Sequence, residues 1–294
     1  RSEHPFLCLT REAPGVPFTL DVDLLGLEFF EIGFLEQPEG ESWRLAAKAG
    51  KIMVPFGAEP RWHNSYGGKA GFDNDLLPPV FAELGAAVQG QYAVAGTGLR
   101  LRLDLYSVRG YRLARADQEL NLQADAAPAS DPSIAVGGRL GLSLGPFSGR
   151  YSGYYNRIGF GRRLYLQALD LELWRLRDVP LLEYFTFAVG AMRADVSGAG
   201  AGQDYYHFGS YYTVRVHPRP WLFLQYRQGL QSFGNRRGDY LDETRLTADD
   251  GSTHNVGIVA RYRGFSAGLY YFWLLEEADE VDDDFTRLSV AYDF

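Results

Sequence analysis

Between Leu99 and Tyr106 the chain alternates without a slip. Leu99, Leu101, Leu103 and Leu105 fall on one side, Arg100, Arg102, Asp104 and Tyr106 on the other. A strict period of two predicts a β-strand with one apolar and one polar face. The same pattern closes the chain, where Phe294, Tyr292, Val290 and Leu288 oppose Asp293, Ala291, Ser289 and Arg287. It recurs over residues 80–94, with Ala82, Leu84, Ala86, Val88 and Tyr92 opposite Glu83, Gln89 and Gln91.

A rhythm of paired strands follows. The pairs 134–144/147–157, 163–177/182–194, 205–217/220–231 and 254–262/265–275 are joined by tight breaks at Gly145-Pro146, Asp178 to Pro180, Pro218 to Pro220 and Arg263-Gly264. Between the pairs lie longer polar loops at 109–133, 195–204, 232–253 and 276–284, and a shorter one at 158–162. Short turns on one side and long loops on the other predict an all-β, transmembrane, antiparallel up-and-down barrel occupying residues 1–294 as one domain. A soluble sandwich, the alternative for the terminal strand alone, has no reason to sort its connections by length. If the short turns and the C-terminus share the periplasmic side, the strand at 80–94 descends and 43–56 ascends. Residues 18–36 then form one descending strand, and an ascending strand falls at His4 to Arg11. The expected total is about 14 strands, with 12 to 16 in range.

Composition agrees. Aromatic content is 15% and glycine is abundant at 34 residues, yet mean hydropathy is only −0.22. A wall that shows lipid every second residue and carries aromatic girdles has this signature. No uninterrupted apolar run reaches the roughly 18 residues a spanning helix needs. Cys8 is the only cysteine, so no disulfide framework or CxxC site is expected. Arg1 opens without a leader, as in a mature or trimmed chain. The net charge of −8 argues against nucleic acid as a partner.

The functional expectation rests on the polar faces. With the leucine-rich faces toward lipid, Arg100, Arg102, Arg139, Arg150, Arg163, Arg215, Arg227, Arg261 and Arg287 line the lumen, against Glu83, Asp104 and Asp293. Carboxylates gather instead in the loops at Asp239 to Asp250 and Glu276 to Asp284. Rings of arginine around water favour anions, which acidic loops at the mouth would oppose. The alternative is a plugged barrel whose arginines pair with Asp, Glu and carbonyls. The carboxylates between Asp21 and Glu31 have no place in this scheme.

The terminal strand, closed by Phe294 with Tyr292 before it, resembles the C-terminal signal of Gram-negative outer-membrane β-barrels. Gly50-Lys51-Ile52-Met53-Val54-Pro55-Phe56-Gly57, then Leu84-Gly85 and Gly90 within Phe81 to Gly90, resembles phosphate- and carbohydrate-type porins over some forty residues. Such porins usually have more strands, so their trimeric state and ligand ladder are not carried over. The resemblance implies passive diffusion of small hydrophilic solutes or anions, no cofactor, and integration in the bacterial outer membrane beside lipid and lipopolysaccharide. It also implies an inward-folding loop, for which Gly57 to Pro79 is the candidate, with Arg61, Trp62, His63, Tyr66 and Lys69 as constriction residues.

Two other functions compete. His63 and Ser65, with Asn74 or Asp73 to orient the histidine, have the makings of a lipid hydrolase. The lipase families continue Ser-Asn-Gly, whereas this chain has Ser65-Tyr66-Gly67. A structural barrel sheathing a partner protein or plug is the other, and a homo-oligomer fits any of the three. His207, His217 and His254 lack zinc spacing. The acidic run Asp279 to Asp284 lacks EF-hand spacing and suits a solvated loop that loosely attracts divalent cations or bridges lipopolysaccharide. Tyr151, Tyr154, Tyr155, Tyr205, Tyr206, Tyr211 and Tyr212 read as girdle residues, or as a sugar-stacking track where they face inward.

Overall fold

A computed structural model of the chain describes residues 6–11, 18–23, 30–36, 42–57, 82–118, 120, 130–131, 133–174, 179–198, 203–235, 251–276 and 285–292. Among the described residues fifteen strands form one sheet in strict sequence order, each antiparallel to the next. They are β1 (Phe6–Arg11), β2 (Phe18–Asp23), β3 (Phe30–Glu36), β4 (Trp43–Met53), β5 (Ala82–Ala93), β6 (Leu99–Arg109), β7 (Ile134–Leu144) and β8 (Phe147–Gly159). The second half comprises β9 (Arg162–Trp174), β10 (Leu182–Ser197), β11 (Gln203–Arg219), β12 (Leu222–Asn235), β13 (Gly251–Tyr262), β14 (Phe265–Glu276) and β15 (Phe285–Tyr292). From β4 to β14 the strands have 11 to 17 residues, beyond the usual five or six and long enough to cross a bilayer at a tilt.

The expected single strand at 18–36 is two strands. β2 and β3 pair with each other, Asp21 opposite Glu31 in the register. Asp21 and Glu31 therefore lie either side of a chain reversal, at the phase slip of the hydrophobic pattern. Splitting this stretch reverses β1: it runs the same way as β15 and does not ascend. Among the described residues β1 and β15 are the two edges of the sheet.

Turn chemistry sorts the ends as expected. Arg263 and Gly264 both hold positive φ, 44° and 84°, the signature of a two-residue turn whose twist matches that of a hairpin. Gly145 (φ 57°) serves the turn between β7 and β8.

The two faces of the wall are inverted relative to a water-soluble sheet. On β6, Leu103 and Leu105 are 47% and 55% exposed, while Asp104 between them is 2%. Leu140, Leu142, Leu169, Leu171, Ile258 and Leu269 continue the exposed apolar surface, and Arg139, Ser152, Asn156, Thr186, Thr213 and Asn255 are buried. A soluble monomer rarely exposes more than a few hundred Å² of contiguous apolar surface. Here the surface runs strand after strand, which requires hydrocarbon outside. Two glycines let large rings lie flat on the inner wall: a Cβ at Gly137 would strike the Tyr106 hydroxyl, and one at Gly257 the ring of Tyr270.

Leu103→Arg, on the lipid side of mid-β6, is expected to lower stability in lipid vesicles by about 2–4 kcal/mol. Urea unfolding followed by tryptophan fluorescence measures it. Gln89→Arg, on the inner face of β5, is expected to shift the midpoint far less.

Candidate functional site: the inner wall

Asp104 and Arg139 are directly opposed across β6 and β7. Alternation sends both inward, and the guanidinium Nε donates to Asp104 Oδ2 at 2.8 Å. Arg102, two residues along, adds a second contact to the same carboxylate at 3.0 Å. The Arg139 side chain is 3% exposed. Desolvation of such a pair offsets much of its attraction, but removing one partner strands the other and costs about 3–5 kcal/mol.

Arg139 does a second thing. Its other nitrogen donates to the Gly57 carbonyl at 2.9 Å, and the Gly57 amide donates to Ser152 Oγ at 2.9 Å. The chain leaving β4 is therefore bound to the inner wall, with Phe56 edge-on to Tyr154 at 6.4 Å. This is the root of the expected constriction loop. Arg61, Trp62, His63, Tyr66 and Lys69 lie outside the described residues, as do Ser65, Asp73 and Asn74 of the hydrolase reading.

The other inward arginines are held in the same manner. Arg150 donates to Glu172 at 3.1 Å. Glu183 sits at a β-bulge between Leu182 and Tyr184, where the extra residue re-aims its side chain. It takes Arg261 at 2.7 Å and lies 3.7 Å from Arg215. Arg215 also donates to Gln225, which donates to Asn255 at 3.1 Å. The Glu183–Arg261 contact joins β10 to β13 past two intervening strands, a span of roughly 14 Å on a flat sheet. The inner face is therefore concave.

Eight of the nine expected lumen arginines share the inner face; Arg163 does not. Strand β9 has leucines in both phases, and Leu164 and Leu166 are the ones that turn inward, buried to 1% exposure or less. Their neighbour Arg162 is the inward cation, donating to the Gln118 carbonyl at 2.7 Å, and Arg163 faces out. Glu83 and Asp104 face inward as expected, and Glu83 is held by Arg109 at 2.8 Å. Asp293 and the acidic loop runs lie outside the described residues. Asp170, Glu172 and Glu183 are inner-wall carboxylates the sequence reading missed; the first two alternate with Leu169, Leu171 and Leu173, a legible signal.

The leucines turn inward because another segment covers them. The stretch after β6, expected as an external polar loop, folds onto the inner wall: Tyr111, Leu113 and Leu120 are buried with Leu164, Leu166, Ile158 and Tyr154. The Leu113 amide donates to the Ile158 carbonyl at 2.9 Å and the Tyr111 amide to Asn156 Oδ1 at 2.6 Å. Burial along the inner wall is graded as a result. On β6 Arg100 is exposed, Arg102 half-buried, and Asp104, Tyr106 and Val108 buried. On this strand the residues nearer the short turn meet solvent, and those nearer the long loop meet protein.

Outside, aromatics band the wall toward the long-loop end. His254 stacks on Trp273 at 5.1 Å and contacts the Tyr226 hydroxyl at 2.9 Å and Ser252 at 3.1 Å. Tyr155, Tyr206 and Tyr212 face outward, as girdle residues should, whereas Tyr154 is inside the apolar cluster.

No family model matches the chain, and no curated protein matches it. Among solved structures, a porin refined at 1.8 Å resolution superimposes with a TM-score of 0.59 at 11% identity, over 98% of this chain and 91% of that one. An anion-selective porin from Comamonas acidovorans gives 0.45 at 9% identity, over 99% and 95%. The first likeness establishes the fold: the chain is an antiparallel up-and-down β-barrel of the porin type.

Arg139→Met is expected to cost about 3–5 kcal/mol by leaving Asp104 buried without its principal partner. The double substitution Asp104→Leu/Arg139→Met is expected to recover most of that. Urea midpoints of the four proteins in one double-mutant cycle check both.

Proposed function

We propose that the chain is an outer-membrane porin through which small hydrophilic solutes diffuse, without cofactor or covalent chemistry. The observation that carries this reading is the inverted wall, apolar outside and charged within. Ten described arginines (Arg44, Arg100, Arg102, Arg139, Arg150, Arg162, Arg215, Arg227, Arg261 and Arg287) and Lys48 share the inner face with five carboxylates (Glu83, Asp104, Asp170, Glu172 and Glu183). The surplus of cations supports a preference for anions. Its size is limited, because Arg102, Arg139, Arg150, Arg215 and Arg261 each have a carboxylate within 4.0 Å.

A narrower reading is favoured by the buried cluster at the long-loop end. The segment around Tyr111 and Leu113, together with the Phe56-Gly57 corner, fills part of the cross-section there. The barrel is then a restricted pore with its wide vestibule at the short-turn side, which in the outer membrane is the periplasmic one.

Single-channel recording in planar bilayers under a salt gradient is expected to give small, steady conductance with a weakly anion-selective reversal potential. Absence of conductance from folded protein would overturn the porin reading in favour of a plugged or sheathing barrel. Leu113→Asp, which loosens the inner segment, is expected to raise conductance. Arg100→Glu, at the exposed end of β6, is expected to move the reversal potential toward cations.

A further inference from the structure

We propose that Arg157 and Arg163 form a binding site on the outer surface of the barrel for the phosphate of a lipid headgroup. The proposal needs the sheet to sit in a membrane but does not need it to conduct. The two residues are direct partners across β8 and β9. Both are exposed and both are on the lipid-facing side, one and two residues from the short Phe160-Gly161 turn at the long-loop end. Like charges in directly opposed positions destabilise a sheet, and cations on a lipid-facing wall find little solvation there unless they reach a headgroup.

Nothing among the described residues relieves that pairing. Among the described residues no carboxylate lies within salt-bridge distance of either guanidinium. The next outward charges are Arg193 and Asp195 on β10, which hold each other at 3.4 Å. Arg112, beyond the rim, is engaged by Asp131 at 2.9 Å. Arg157 Nε instead donates to the Tyr155 hydroxyl at 3.3 Å, which steadies the side chain along the wall. The rings of Tyr155 and Tyr165 pack at 4.9 Å directly below, on the membrane side of the pair.

Each part of this patch matches a part of a phosphorylated lipid. Two planar guanidiniums side by side present paired N–H donors, the geometry that takes a phosphate bidentately. The tyrosine pair lies where a headgroup meets the acyl region, the level at which amphipathic rings are favoured. Ile134, next in the outward row beside Arg157, and Phe160 at the turn are both exposed and apolar, offering contact to chains and to the headgroup rim. The site is one-sided and shallow, so it suits a ligand already concentrated in the membrane plane.

The test uses the full chain in phosphatidylcholine nanodiscs doped with phosphorylated lipid A, with native mass spectrometry reading the lipid retained. Wild-type protein is expected to keep phosphorylated lipid A, and Arg157→Gln/Arg163→Gln to keep it roughly tenfold less well, in line with the loss of two exposed charge pairs. Arg193→Gln is expected to behave as wild type. Dephosphorylated lipid A is expected to bind wild type no better than the phosphorylated form binds the double variant. Heat-modifiable gel mobility shows whether each variant is folded, and Arg157→Lys/Arg163→Lys, which keeps the charge without the fork, is expected to be intermediate. Equal retention by wild type and the glutamine variant, or indifference to the lipid phosphates, overturns the proposal. Binding of inorganic phosphate as tight as that of the lipid reassigns the patch to a free anion and overturns the lipid assignment.

Discussion

In hydrocarbon there is no water to take a backbone N–H or C=O, so each strand must give its polar groups to a neighbour. Sequential antiparallel pairing does this at the least connection length, and it fixes the side chains as well. Once a strand is hydrogen-bonded on both edges, its residues can point only to lipid or to the interior, in turn. Leucine at 101, 103 and 105 therefore commits Arg102 and Asp104 to the inside. The polar interior follows from the ladder.

That commitment raises a second problem. Inward charges are stable where water reaches them or where an opposite charge does. Where the wall is dry neither is supplied by solvent, and cross-strand partners take over: Asp104 with Arg139, and, nearer the short turns, Glu172 with Arg150. The Arg139 fork has donors to spare after binding Asp104 and uses one on Gly57. One buried arginine thus fixes both a strand register and the point at which the chain leaving β4 is bound to the inner wall. The segment around Tyr111 completes the closure by apolar packing, which requires inward-facing residues at Leu164 and Leu166 rather than charges.

Architecture was legible because it depends on local signals, namely alternation, turn residues and connection length. Positions of the strands from β4 onward followed from these almost residue by residue. The misreadings share one cause, which is that local pattern is silent about what lies across the lumen. Leu164 and Leu166 carry the same signal as lipid-facing leucines, and only the inner segment that covers them and the phase of Asp170 and Glu172 further along β9 tell them apart. Choosing their phase displaced the lumen cation from Arg162 to Arg163. The missed reversal between β2 and β3 is different: the pattern did slip there, and residues 18–36 were long for one crossing. Glu183 could not have been found, because a bulge breaks the parity on which every facing assignment rests.

In the proposed pore, burial along the inner wall decides which charges a solute can sense. Arg139 is out of reach, its field largely cancelled by Asp104 and its second nitrogen taken by the Gly57 carbonyl. Arg261, 45% exposed, and Arg100 stand at the opposite, solvated end, where Glu183 is shared between Arg215 and Arg261. One carboxylate against two guanidiniums leaves a net positive rim at the short-turn mouth. In the proposed pore, charge selection therefore belongs to that mouth and size selection to the inner segments near the long loops. The two are separated along the axis because buried charges must be neutralised where the lumen is dry, whereas exposed ones need not be.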